Sequence, residues 1–173
     1  DILAVNGVGL KYANQGWPLG TTEWDFEGRE IFKQAINGMQ SGCEKTLSKM
    51  GISTSDVDIV IPHQANLRII EALAQRLKVP SEKLFINIHR YANMSAATAP
   101  MAIVEAVEEN VVKPGDLILV PAFGAGLTWS AQLIRWGQRC EALGESDVKL
   151  SESKETALEI IKKVTEIHLK NPS

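Results

Sequence analysis

The run Ile59-Val60-Ile61-Pro62, passing directly into His63-Gln64-Ala65-Asn66, constrains this chain more than any other stretch. It reads as an apolar strand that delivers a lone histidine to the first turn of a helix. A group placed there is held rigidly and partly exposed. The segment Asn93-Met94-Ser95-Ala96-Ala97, thirty residues later, repeats the arrangement. Two polar groups with different proton chemistry are thus offered at the ends of neighbouring elements, the usual place for a site in an α/β fold.

The pattern on either side predicts alternating elements. Residues 1–26 carry turn signals, Trp17-Pro18 and Leu19-Gly20, and read as an irregular N-terminal segment. Ile31, Phe32, Ala35, Ile36, Met39, Cys43, Leu47 and Met50 then recur at helical spacing, with Gly51 as the stop. Val57 to Ile61 has strand length and is buried on both faces if its sheet is parallel. Leu67, Ile70, Leu73, Ala74 and Leu77 mark an amphipathic helix that ends before Pro80. A short strand is expected at Leu84–Ile88, and an Ala-rich helix from Ser95 to Val112 with Pro100 near its first turn. Lys113-Pro114-Gly115-Asp116 is a turn, Leu117–Pro121 a strand, Phe123–Gly126 a loop, and Leu127–Trp136 a final strand. Beyond Gly137 the residues turn charged. Ala157, Ile160, Ile161, Val164 and Ile167 still share one helical face, with Glu159/Lys163 and Glu166/Lys170 spaced to pair. Three regions result: 1–26, a folded α/β domain over 27–137, and 138–173 as a charged linker with an appended helix.

Bulk properties exclude several function classes. At 173 residues, 45% apolar and 23% charged, the chain can bury an ordinary core. A net charge of -3 without a long Lys/Arg block argues against general nucleic-acid binding. No apolar run approaches the roughly 20 residues of a membrane span, and no signal-peptide pattern opens the chain, which points to the cytoplasm. Cys43 and Cys140 lack metal-ligand spacing, and Cys43 falls on a buried stripe. A start at Asp1, without Met, suggests a piece of something longer.

A histidine at a helix N-terminus should have a lowered pKa and remain neutral, able to donate one hydrogen bond to a developing oxyanion. Asn93 could add a second, non-titrating donor. Two donors on one oxygen would stabilise an enolate. The alternative for a lone histidine is a structural role satisfied by the backbone.

His63-Gln64-Ala65-Asn66-Leu67-Arg68, Phe123-Gly124-Ala125-Gly126-Leu127-Thr128-Trp129, Gly28-Arg29-Glu30-Ile31-Phe32-Lys33 and Asn93-Met94-Ser95-Ala96-Ala97 occur here together. With these four motifs in order, residues 23–137 resemble the 3-oxoacyl-[acyl-carrier-protein] synthase III family, condensing enzymes of the thiolase superfamily. The resemblance implies the C-terminal half of a thiolase-like α/β fold, with a mixed, mostly parallel sheet and helices on both faces. It implies a decarboxylative Claisen condensation of an acyl-CoA primer with malonyl-acyl-carrier protein, needing no cofactor and no metal. His63 and Asn93 would be the catalytic pair. Phe123 would line the malonyl pocket, and the Ala125 N–H would join an oxyanion hole. Gly28, Phe32, Asn66 and Ile69 would line the pantetheine tunnel, and Arg68 would meet the acidic carrier protein.

The resemblance also implies that the nucleophilic cysteine belongs to an N-terminal half absent from this sequence. This chain alone would then be inactive, and the assembled enzyme would be a homodimer. Two positions depart from the pattern: Ala92 and Ala125 stand where glycine is usual. If position 92 needs a positive φ, Ala92 is strained by about 1 kcal/mol or more. His89 reads as a loop residue. A secondary-metabolite starter synthase, and a non-catalytic subunit of a condensing heterodimer that docks carrier protein, are the other readings of the same motifs.

Overall fold

The computed structural model describes residues 3–6, 23–138, 147–149 and 154–170. Among these, residues 27–138 form one compact unit, and the remainder belong to a second. In the second unit, β1 (Leu3–Asn6) pairs antiparallel with β2 (Glu23–Phe26), Leu3 opposite Phe26. The N-terminal region is therefore not irregular throughout, as the turn signals alone suggest.

The main unit opens with α1 (Gly28–Met50), whose buried residues Ile31, Ala35, Ile36, Met39, Cys43 and Leu47 follow the expected stripe. Gly51 ends it in the left-handed conformation (φ 67°). Gly51 N–H bonds Ser48 O and Ile52 N–H bonds Leu47 O, which satisfies two terminal carbonyls. Next come β3 (Ile59–Val60), α2 (Leu67–Leu77), a short α3 (Ile88–Tyr91), α4 (Thr98–Glu108), β4 (Leu117–Gly124) and β5 (Thr128–Arg135).

The sheet order is β3-β4-β5, with β4 parallel to β3 and antiparallel to β5. The sheet is mixed, as expected, and the antiparallel ladder is its longer one. Alternation along the strands divides the core. Val60 and Leu119 face α1 and α2, in a cluster with Met39, Cys43, Leu47, Leu73 and Leu77. Ile59, Ile61, Ile118 and Val120 face the other way, onto Ala102 and Ala106 of α4. Helices therefore cover both faces, and the two alanines allow α4 to lie close to the sheet.

Four expectations need correction. The strand predicted at Leu84–Ile88 is a single bridge, Val60 to Leu84, because the buried Gln64 side chain captures the Asn87 and Ile88 N–H groups and turns the chain into α3. The Ala-rich helix starts as a 3-10 turn at Ser95–Ala97 and ends at Glu108, with Asn110 at φ 57° beyond it. Phe123 lies in β4 and not in a loop, since the hairpin to β5 is tighter than the glycines imply. In α5 (Ala157–Lys170) Lys163 pairs with Glu155; Glu159 is occupied by the Thr156 N–H and hydroxyl in an N-terminal capping box.

Helix α1 lies directly on β5. A Cβ built at Gly38 would sit 2.5 Å from Cδ2 and 2.8 Å from Cγ of Trp129. Atoms so near the indole's attachment clear the new methyl only if the whole ring leaves its rotamer or the strand shifts. Gly38→Ala should therefore destabilise the fold by about 1–3 kcal/mol, seen as a lower urea midpoint with an unchanged m-value; an unchanged midpoint would mean that the helix is free to lift.

Candidate active site

His63 is anchored by the sheet. The parallel ladder continues past β3 through Ile61 N–H to Leu119 O (2.9 Å) and His63 N–H to Pro121 O (2.8 Å). Pro121 can accept but has no N–H to return, so pairing closes there and the chain leaves the sheet. The histidine precedes the helix and is not in its first turn, which corrects the sequence reading: Asn66 is the N-cap of α2, its Oδ1 accepting from Arg68 N–H at 2.9 Å. Its pKa is lowered, as expected, but because burial disfavours the imidazolium, not because of a helix terminus. The ring stands edge-on to Phe123, centroids 5.5 Å apart at 68°.

The other half of the site is the turn that precedes α4. Asn93 Oδ1 accepts from Ser95 N–H at 2.9 Å, which leaves the carboxamide NH2 as the presented end. Thr98 Oγ1 lies 3.0 Å from Ser95 O and also makes a short hydrogen bond with His63 Nδ1, so its single proton serves one of the two. His63 and Asn93 are thus joined through Thr98 and Ser95. Each side chain has one polar atom tied down locally and one nitrogen left for a ligand. Ala92, just before Asn93, has φ 56° and ψ -160°, a region that costs a residue with a Cβ about 1–3 kcal/mol. The strain foreseen for Ala92 is therefore present.

A buried polar network supports this turn. Gln64, 1% exposed, donates to Pro62 O (2.7 Å) and Phe85 O (3.4 Å) and accepts from Asn87 N–H and Ile88 N–H. Glu105 on α4 accepts from Asn87 Nδ2 (2.8 Å), Arg90 Nη1 (2.7 Å) and the Tyr91 hydroxyl (2.8 Å). Burial alone would push the Glu105 carboxyl up, but the hydrogen bonds from Asn87, Arg90 and Tyr91 outweigh it and hold the group below its ordinary value. Sequence reasoning passed over Thr98, Gln64 and Glu105. A signal existed: Thr98 and Glu105 share the buried face of Ala102 and Ala106, where a polar side chain needs a partner.

The remaining candidates divide. Arg68 Cζ lies 5.9 Å from the Phe32 ring centroid, so these two come together at the mouth of α1 and α2. Gly28 begins α1 and is exposed, and exposed Asn66 spends its oxygen on the cap. Ile69, expected along the tunnel, is buried against the α1/α2 core. Ala125 is exposed in the β4–β5 turn, its carbonyl taken by Thr128 Oγ1 at 3.2 Å. His89 is exposed, and Cys43 is buried, its thiol pushed up to about 12 first by burial and then by Glu44. Cys140 lies outside the described residues. Among the described residues no three metal-binding side chains converge.

The model of the family described as 3-oxoacyl-[acyl-carrier-protein (ACP)] synthase III C terminal matches residues 47–136, more than half of the chain. The chain belongs to the 3-oxoacyl-[acyl-carrier-protein] synthase III family. Beta-ketoacyl-[acyl-carrier-protein] synthase III 2 of Vibrio cholerae serotype O1 is 48% identical over 166 residues, 96% of this chain and 46% of that protein. The synthase III of Aquifex aeolicus is 53% identical over 110 residues, 64% of this chain and 36% of that protein. The crystal structure of the Aquifex aeolicus synthase III superposes with a TM-score of 0.68 at 45% identity, covering 79% of this chain and 40% of that one. The chain thus spans less than half the length of these synthase III relatives. The Vibrio cholerae match takes in most of the charged C-terminal stretch, whereas the family model ends at residue 136.

Two outcomes follow from the site's backbone and its histidine. Ala92→Gly should raise the unfolding free energy by about 1 kcal/mol, since relief of the positive φ exceeds the entropy glycine adds to the unfolded chain; a loss of stability would show that the conformation is unstrained. His63 resists a proton that the unfolded chain accepts, so stability should fall as pH drops below 6.5 and level off under the depressed folded value. His63→Gln should flatten that slope in urea melts between pH 7 and pH 5.

Proposed function

We propose that this chain is the C-terminal half of a condensing enzyme that joins an acyl-CoA primer to malonyl-acyl-carrier protein, giving a 3-oxoacyl-acyl-carrier protein at the start of fatty-acid synthesis. The observation that carries the reading is the coupling of His63 to the Asn93 turn through Thr98 and Ser95, beside Phe123. As the malonyl carboxylate leaves as carbon dioxide, its bonding electrons move into the thioester carbonyl. The enolate oxygen then receives hydrogen bonds from the neutral His63 ring and the Asn93 amide. The enolate carbon attacks the acyl-thioester held on the enzyme and releases the cysteine thiolate. Phe123 keeps water from the imidazole, which strengthens both donors.

The thiolate for the first half-reaction comes, on this reading, from the N-terminal half. Cys43, mid-helix and buried with a thiol near 12, is unsuited to it. Met101 and Val104 stand exposed on α4, an apolar surface suited to the packing of that half. The assembled enzyme would be a cytoplasmic homodimer without a cofactor. Arg68, held over Phe32, would meet the acidic carrier protein at the mouth of a pantetheine tunnel lined by Gly28, Phe32, Asn66 and Ile69, with the Ala125 N–H over the acyl-thioester.

In the enzyme assembled from both halves, His63→Ala or Asn93→Ala should each slow malonyl decarboxylation by about 10²-fold or more while self-acylation from acyl-CoA is largely retained. Equal losses in the two half-reactions would remove the assignment of these residues.

A further inference from the structure

We propose that Thr98 is a positioning residue that decides which ring nitrogen of His63 carries the proton, and so whether the neutral ring can donate into the site. The proposal rests on the decarboxylative reading above and deepens it. Thr98 is 1% exposed, so water does not substitute for its partners. Its Oγ1 has two of them, Ser95 O and His63 Nδ1.

A hydroxyl has one proton to give. Turned to Ser95 O, it makes Oγ1 the acceptor of an Nδ1–H, and His63 then presents a bare Nε2 lone pair. That nitrogen repels a carbonyl oxygen gaining negative charge. Turned to His63, the hydroxyl makes Nδ1 the acceptor, and the ring proton resides on Nε2, where it can donate. The second arrangement leaves no orphan acceptor, because Ser95 O also accepts the backbone N–H of Thr98. Both arrangements satisfy the protein's own groups, and only the second also offers a hydrogen bond to a carbonyl in the site.

Ser95 gives the arrangement its economy. Its N–H orients the Asn93 amide and its carbonyl receives the Thr98 backbone N–H, so one residue, held at φ 55°, keeps both donors in step. Thr98 touches no substrate and acts through His63.

The test uses the assembled enzyme with Thr98→Val, which keeps the shape and deletes the hydroxyl, and Thr98→Ser, which restores it. The readouts are steady-state malonyl decarboxylation and the 15N shifts of the imidazole nitrogens, with this chain alone carrying labelled histidine and its 3 histidines resolved by difference from His63→Ala. Wild type should show a protonated Nε2. Thr98→Val should mix or reverse the tautomers and lower kcat by about tenfold to a hundredfold with little change in KM, since a misplaced proton in intact geometry removes a donor. Thr98→Ser should recover both. A protonated Nδ1 in wild type overturns the proposal even if Thr98→Val does not fold, as does an unchanged tautomer and kcat in Thr98→Val. Should His63→Ala decarboxylate like wild type, the functional reading fails instead, while the 15N shifts still decide the role of Thr98.

Discussion

A single buried carboxamide holds the candidate-site end of this chain together. Gln64 uses both amide hydrogens and both lone pairs of its oxygen, on four backbone groups from two segments. A side-chain amide so fully matched rigidifies its neighbours, whereas a partly matched one would be a liability at this depth. By gripping Pro62 on one side and Phe85, Asn87 and Ile88 on the other, it fixes the histidine loop against the segment that leads to Asn93. The end of strand pairing after Leu84, the start of α3 and the approach to Ala92 all follow from that grip.

Glu105 completes the clamp from the helix side. Its carboxylate gathers Asn87, Arg90 and Tyr91, three residues just upstream of the strained Ala92, and Arg90 reaches on to Glu109. The unfavourable φ at position 92 is thereby held by hydrogen bonds on one side and by the Asn93–Ser95 turn on the other. Local strain persists where surrounding contacts over-determine the backbone, and here those contacts are mutual and charge-assisted.

Much of this was readable from residue order. Helix α2 spans Leu67–Leu77 and buries Ile70, Leu73, Ala74 and Leu77 of its expected stripe, though Leu67 is exposed and Ile69 buried instead, and α1 stops at Gly51 as the pattern requires, because amphipathic periodicity and a left-handed terminator are local signals. His63, Asn93 and Phe123 were singled out from motif order, and two of them, His63 and Phe123, are in ring contact. What was not readable depended on long-range partners. The strand expected at Leu84–Ile88 has adequate local propensity and is cut short by a glutamine more than twenty residues away. The cause of the histidine's lowered pKa was misjudged, because burial is a property of assembled layers and not of the strand-to-helix order. Thr98 escaped notice because a lone threonine among alanines differs from its neighbours only once something faces it.

The parallel pairing of β3 with β4 joins Ile59 to Ile118 and carries the ladder on to His63. Parallel neighbours cannot be made by a hairpin, and closing so long an intervening segment carries an entropic penalty that later contacts must offset. The histidine's seat consequently depends on residues far along the chain: without Leu117–Pro121 the imidazole segment has no strand to dock against. Any truncation short of Pro121 therefore removes the backbone acceptor that seats the histidine.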